Sequence, residues 1–169
     1  ASSTWSNRTL ELICSDYLKQ SKRAAMIDIH TGLGPYGYGE LMTPSKPGEA
    51  VYDFFFNWYG NEVHSTTAGA SLYAGSKGSI LAGFQPLPDS LEWAAVGLEY
   101  GTRERETMRK AMLANSWLHL HGELDSDLGR RIKQEVKDAS YPDEDEWKSL
   151  VWERGKEVIG IALEQFPQS

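Results

Sequence analysis

Cysteine is almost absent. Cys14 stands alone in 169 residues, which excludes an internal disulfide framework and fits a reducing compartment. Its helical setting makes it a small core residue. Long apolar runs are also missing: no stretch approaches the roughly 20 residues a membrane helix requires, and "ASSTWSNRTL" lacks the charged-then-apolar order of a signal peptide. The chain is therefore expected to be soluble and cytoplasmic, with no membrane partner. Nor is there a basic surface. The formal net charge is −7 and the basic residues alternate with acids, which argues against nucleic acid as a partner. What is present is a composition with 40% hydrophobic residues and six tryptophans, enough to exclude disorder and to build one compact domain over residues 1–169.

Hydrophobic periodicity sorts the chain into elements. Leu10, Ile13, Cys14, Tyr17 and Leu18 make one helical stripe between about Asn7 and Gln20, with Asn7 as its cap. Ala24 to Ile29 is short and apolar and runs into glycine, as a buried strand entering a loop does. Val51, Phe54, Phe55 and Trp58 keep helical spacing, bounded by Pro47 and Gly60. Residues 62–67 suit a short strand, and "ASLYAGSKGSILAGFQPLPD" suits a loop with one helical turn. Trp93 to Leu98 is a second buried strand, ending on Glu99 and closed by Gly101 and Thr102. Three helices follow, at roughly 103–118, 126–138 and 144–165. The last carries a core stripe of Trp147, Leu150, Val151, Val158, Ile161 and Ala162. Helices alternating with buried strands predict an α/β fold: a mixed, mainly parallel sheet flanked by helices.

Ionisable groups sit where the two buried strands end. In open α/β sheets ligands bind beyond the carboxyl ends of the strands. Asp28 and His30 are two apart and share one side of their strand, so the carboxylate can fix the tautomer of the imidazole, as it does beside many metal-bound histidines. One histidine cannot hold a catalytic zinc, which needs three protein ligands and an open position. From spacing alone, His30 reads equally as a satisfied, partly buried histidine. Glu99 likewise reads as a carboxylate stabilised by the dipole of the following helix.

"MIDIHTGLGPYGYGE" followed by "VGLEYGT" resembles the zinc carboxypeptidase-like superfamily, in particular its DUF2817 branch, related to the succinylglutamate desuccinylase and aspartoacylase group. "WSNRTL" near the N-terminus is similar too, and the likeness covers Trp5 to about Leu118. The resemblance implies that His30 is the third zinc ligand and that Glu99 is the carboxylate that activates the zinc-bound water. It also implies that Asp28 supports His30, and that the glycine-aromatic loop from Gly32 to Gly39 lines the cleft, where Tyr36 or Tyr38 meets a peptide or acyl-amino-acid substrate.

One departure from that pattern stands out. The first two zinc ligands of the superfamily come from an upstream H-x-x-E motif, and none occurs here. His64, His119 and His121 do not replace it: His119 and Glu123 have i, i+4 spacing, but Gly122 and the turn after it interrupt a structured pair. The resemblance places H-x-x-E before residue 1. The chain is thus expected to be the C-terminal part of a longer zinc hydrolase, without the N-terminal strands, needing that missing segment as partner and holding zinc poorly alone. The exposed sheet edge this leaves favours self-association. The competing expectation is a non-catalytic binding or scaffold domain with a degenerate metal site.

Overall fold

A computed structural model describes residues 4–68, 80 and 91–166. In chain order the elements are helix α1 (Trp5–Leu18), strands β1 (Arg23–Tyr36) and β2 (Gly39–Thr43), helix α2 (Ala50–Tyr59), a 3-10 turn (Gly60–Glu62), strands β3 (Val63–Ser65) and β4 (Glu92–Gly101), and helices α3 (Arg105–His121), α4 (Asp127–Ser140) and α5 (Asp145–Glu164). The fold is α/β. The four described strands pair in the order β1-β4-β2-β3. Glu92 N–H donates to Lys22 O near the start of β4 and β1, and Thr102 Oγ1 donates to Gly32 O just beyond the end of β4, so these two strands are parallel. Gly101 N–H donates to Tyr38 O where β2 begins, which sets β2 antiparallel to β4. Thr66 N–H donates to Thr43 O where β3 and β2 both end, making that pair parallel and the sheet mixed but mainly parallel. The segment 70–89, expected to be a loop with one helical turn, lies outside the described residues apart from Ile80.

The chain divides into two compact units. The first comprises residues 1–28, 42–97 and 161–169. Its core includes Cys14, Phe55, Tyr59, Val63 and Val96, and burial pushes the Cys14 thiol up from its ordinary value. The start of α1 differs from expectation. Thr4 is the N-cap, its Oγ1 accepting from Asn7 N–H at 3.3 Å, so the helix begins two residues before Asn7. A hydroxyl immediately before the first turn outcompetes an asparagine already inside it. The α1 stripe is also narrower than its periodicity suggests, because Cys14 is buried while Ile13 is exposed and Tyr17 is 76% exposed. α2 matches its expected bounds and buries Phe55 and Tyr59. Arg23 closes this unit by bonding Glu92 Oε2 at 2.7 Å and Gln165 O at 2.5 Å.

The second unit comprises residues 29–41 and 98–160. α3 packs along α4, and Leu118, Ile132 and Ala139 are buried there. α4 starts on a serine cap, Ser126 Oγ accepting from Gly129 N–H at 3.0 Å. On α5, Trp147 and Val158 are buried as expected, whereas Leu150 is exposed, so the buried face is a narrower arc than the apolar stripe. Trp147 Nε1 donates to Gly101 O at 2.9 Å in a buried bond, and Tyr100 Oη donates to Val151 O at 2.9 Å. These two bonds anchor the end of β4 to α5. Among the described residues no helix is long and apolar enough to cross a membrane.

Because Trp147 both fills core volume and satisfies a buried carbonyl, Trp147→Phe is expected to lower the unfolding free energy by about 1–3 kcal/mol. Chemical denaturation followed by circular dichroism measures this.

Candidate functional site

The glycine-rich stretch after His30 was expected to be a loop. Instead β1 continues through it to Tyr36. What keeps it extended is pairing with β4: Thr102 Oγ1 donates to Gly32 O at 3.0 Å, and Leu33 N–H donates to Glu99 Oε1 at 2.9 Å. The two strands approach closely at their ends. A Cβ placed on Gly101 would lie 1.9 Å from Pro35 O and 2.5 Å from Gly34 C, so only glycine allows this backbone contact. The strand β4 also runs two residues beyond Glu99, placing the carboxylate inside the paired region rather than at the strand's last residue.

Glu99 is 3% exposed. A buried carboxylate is costly unless it accepts hydrogen bonds, and the Leu33 N–H supplies one from the neighbouring strand. α3 begins at Arg105, and its N-cap Glu104 makes no side-chain capping bond. One bond that orients Glu99 comes from β1. Met108 of α3 approaches the same place, since a Cβ on Gly32 would lie 3.2 Å from Met108 Cε and 3.4 Å from Glu99 Oε1.

His30 is exposed and Asp28 half-buried on β1; their two-residue spacing keeps both on one side of a strand. Tyr36, at the end of β1, donates its phenol to Glu144 Oε2 at 2.5 Å, while Arg103 Nη2 donates to Glu144 Oε1 at 2.6 Å. The bond to Glu144 pushes Tyr36 up to about 12, and the bonds from Tyr36 and then Arg103 hold Glu144 below the usual carboxylate range. Glu144, just before α5, thus fixes a tyrosine and an arginine. Tyr38 is exposed. His119 is engaged on the helical surface, its Nε2 lying 2.5 Å from Lys133 Nζ, and α3 stops before Glu123, as the glycine at 122 predicts.

Glu40 is a buried carboxylate the sequence pattern did not single out. It is 3% exposed on β2, and the legible signal was its place after the Gly-Tyr-Gly turn, which determines the side to which it points. Zinc can be tested against these residues: among the described residues no group of three His, Cys, Asp or Glu gathers to hold a metal. The described residues therefore do not by themselves compose a three-ligand zinc site.

Sheet and site define an α/β protein whose central strand carries a buried, backbone-oriented glutamate beside a histidine-bearing strand. The chain belongs to the family described as protein of unknown function (DUF2817), whose sequence model matches residues 1–154. No curated protein and no solved structure matches it.

Two measurements check this geometry. Gly101→Ala is expected to destabilise the protein by about 3 kcal/mol, since its methyl group must force apart two backbones; thermal or chemical unfolding reads this. In a spectrophotometric phenol titration Tyr36 is expected to ionise near pH 12, and Glu144→Gln is expected to bring it back toward the ordinary tyrosine value. The raised phenol favours the folded state below the ordinary tyrosine range, and this contribution is lost as pH rises through the folded value.

Proposed function

We propose that this chain forms one wall of a zinc-dependent amide hydrolase site acting on a peptide or an acyl-amino acid. Glu99 is the general base, His30 is a zinc ligand and Asp28 orients His30. Tyr36 and Tyr38 meet the substrate. The single observation that carries this reading is the buried Glu99 carboxylate, oriented by Leu33 N–H at 2.9 Å on the strand next to the one that bears His30. Register supports it as well. Arg23 and Glu92, bonded across β1 and β4, are 69 positions apart, the same separation as His30 and Glu99.

Zinc, when bound, polarises a carbonyl and acidifies water; its remaining ligands have to come from outside the described residues. The work of this chain's own groups is proton transfer. Glu99 accepts the proton of the attacking water as the new C–O bond forms, and returns it to the nitrogen as the C–N bond breaks, leaving a carboxylic acid and an amine. Being buried and tied to a backbone amide, Glu99 needs no reorientation between the two transfers.

A second reading is favoured by one observation: the described residues gather no metal-binding cluster. In it the domain keeps the fold as a binding or scaffold module. Metal analysis of the intact protein separates the two. The enzyme reading expects near-stoichiometric zinc, lost together with hydrolysis in His30→Ala, and a fall of about 10²–10⁴ in kcat for Glu99→Gln with zinc retained. Zinc content unaffected by His30→Ala rules out its role as ligand, and a metal-free, inactive intact protein leaves the scaffold reading.

A further inference from the structure

Helices α3 and α4 are joined by residues 122–126 and pack as an antiparallel hairpin. Lys133 Nζ on α4 donates to Asn115 Oδ1 on α3 at 2.8 Å. Five residues back along α3 and five forward along α4, that register sets Lys110 level with Asp138. Ala111, Ala114 and Ala139 form the floor between the helices, and their short side chains leave a groove of about 470 Å³, within the range of small-ligand sites. Its walls carry opposite charge. Thr107 and Lys110 stand three apart on the α3 side, with Arg103 just before the helix, and Glu135 and Asp138 stand three apart on the α4 side. Among the described residues no ion pair crosses from one wall to the other: Lys110 reaches Glu106 on its own helix at 3.8 Å, Glu135 reaches Arg131 at 3.9 Å, and Arg103 pairs with Glu144 at 2.6 Å. Asp138 Oδ1 accepts from Gln134 Nε2 at 2.7 Å, also within its own helix.

We propose that this groove binds a small zwitterion with an apolar side chain, a free amino acid or a short peptide. Lying across the seam, such a molecule sets its carboxylate against Lys110 and the Thr107 hydroxyl and its ammonium against Glu135 and Asp138, while its side chain covers the alanine methyls. A zwitterion satisfies both walls at once. A lone anion or a lone cation leaves one wall uncompensated, so the arrangement selects for a ligand that carries both charges. Surface ion pairs at the separations seen for Lys110 and Glu135 contribute little, and these side chains can turn to a ligand at small cost. Arg103 is already engaged by Glu144, which makes Lys110 the principal cation of its wall. The groove draws only on residues 103–139 and needs nothing from His30 or Glu99, so it is a site beyond the proposed hydrolase centre and its ligand need not be a substrate.

Leucine and leucyl-leucine, titrated into the protein and followed by amide nitrogen–proton NMR, test this. At least one is expected to saturate with a dissociation constant of about 1 mM or tighter, with shifts centred on Thr107, Lys110, Ala114, Glu135 and Asp138; the tighter of the two tells free amino acid from peptide. The N-acetylated form of that ligand, which lacks the ammonium, and its C-terminal amide, which lacks the carboxylate, are each expected to bind about tenfold more weakly or worse. Lys110→Gln is expected to weaken binding by a similar factor. Ala114→Leu, which fills the floor and leaves every charge in place, is expected to abolish it. The absence of any saturable shift up to about 10 mM of either ligand overturns the proposal, and so do shifts centred on β1 around His30, or capped analogues that bind as tightly as the parent. If circular dichroism shows that Ala114→Leu does not fold, the capped analogues on the wild-type protein decide. Binding at the groove in a protein that hydrolyses no amide upholds this inference and sinks the hydrolase reading alone.

Discussion

Leu33 N–H to Glu99 Oε1 is the contact around which the end of the sheet is arranged. A carboxylate this deeply buried demands a donor, and the donor is a backbone amide, which exists at that point only if β1 stays extended beyond His30. Extension brings β1 against β4 so closely that position 101 tolerates no side chain, and Thr102 then reaches back to Gly32 O. Gly101 in turn offers its carbonyl to Trp147 and to Gly37 N–H. One hydrogen bond to a buried carboxyl group thus goes together with the course of a strand, a turn and the seating of a helix.

That dependence separates what the sequence made legible from what it hid. α2 was legible because Phe55 and the residues around it keep helical spacing between a proline and a glycine, and local signals there agree with packing. The stripe of α5 was legible at Trp147 and Val158 but too broad at Leu150, since periodicity reports which residues are apolar and not how wide a surface awaits them. The continuation of β1 through Gly32 and Gly34 was hidden: glycine weakens any local strand signal, and what holds the segment extended is contact with residues some seventy positions away. Glu99 was legible as a strand-borne carboxylate, though the group orienting it was not.

Glu40 was hidden for a different reason. A glutamate following a turn looks solvated, and only the pairing of β2 with β4 turns it inward beside Glu99. The same pairing sets two buried glutamates on neighbouring strands. Tyr36 shows a milder version, since its phenol is engaged with Glu144, the residue just before α5 and 108 positions later.

In the turn between β1 and β2, Gly37 N–H donates to Gly101 O and Gly101 N–H donates to Tyr38 O, with Gly37 at φ +68°. This G1 bulge limits how the family member can change in length. Because side chains alternate with a period of two, removing the extra residue of the turn would slide β2 by one position and exchange its faces. Glu40 would then lie with Leu98 and Tyr100 against α5, and an apolar neighbour would stand beside Glu99. The segment between Tyr36 and Glu40 therefore resists insertions and deletions, and its two glycines resist substitution as well, since a Cβ on Gly37 would lie 2.3 Å from Leu150 Cδ1 and one on Gly39 2.8 Å from Arg154 Cγ.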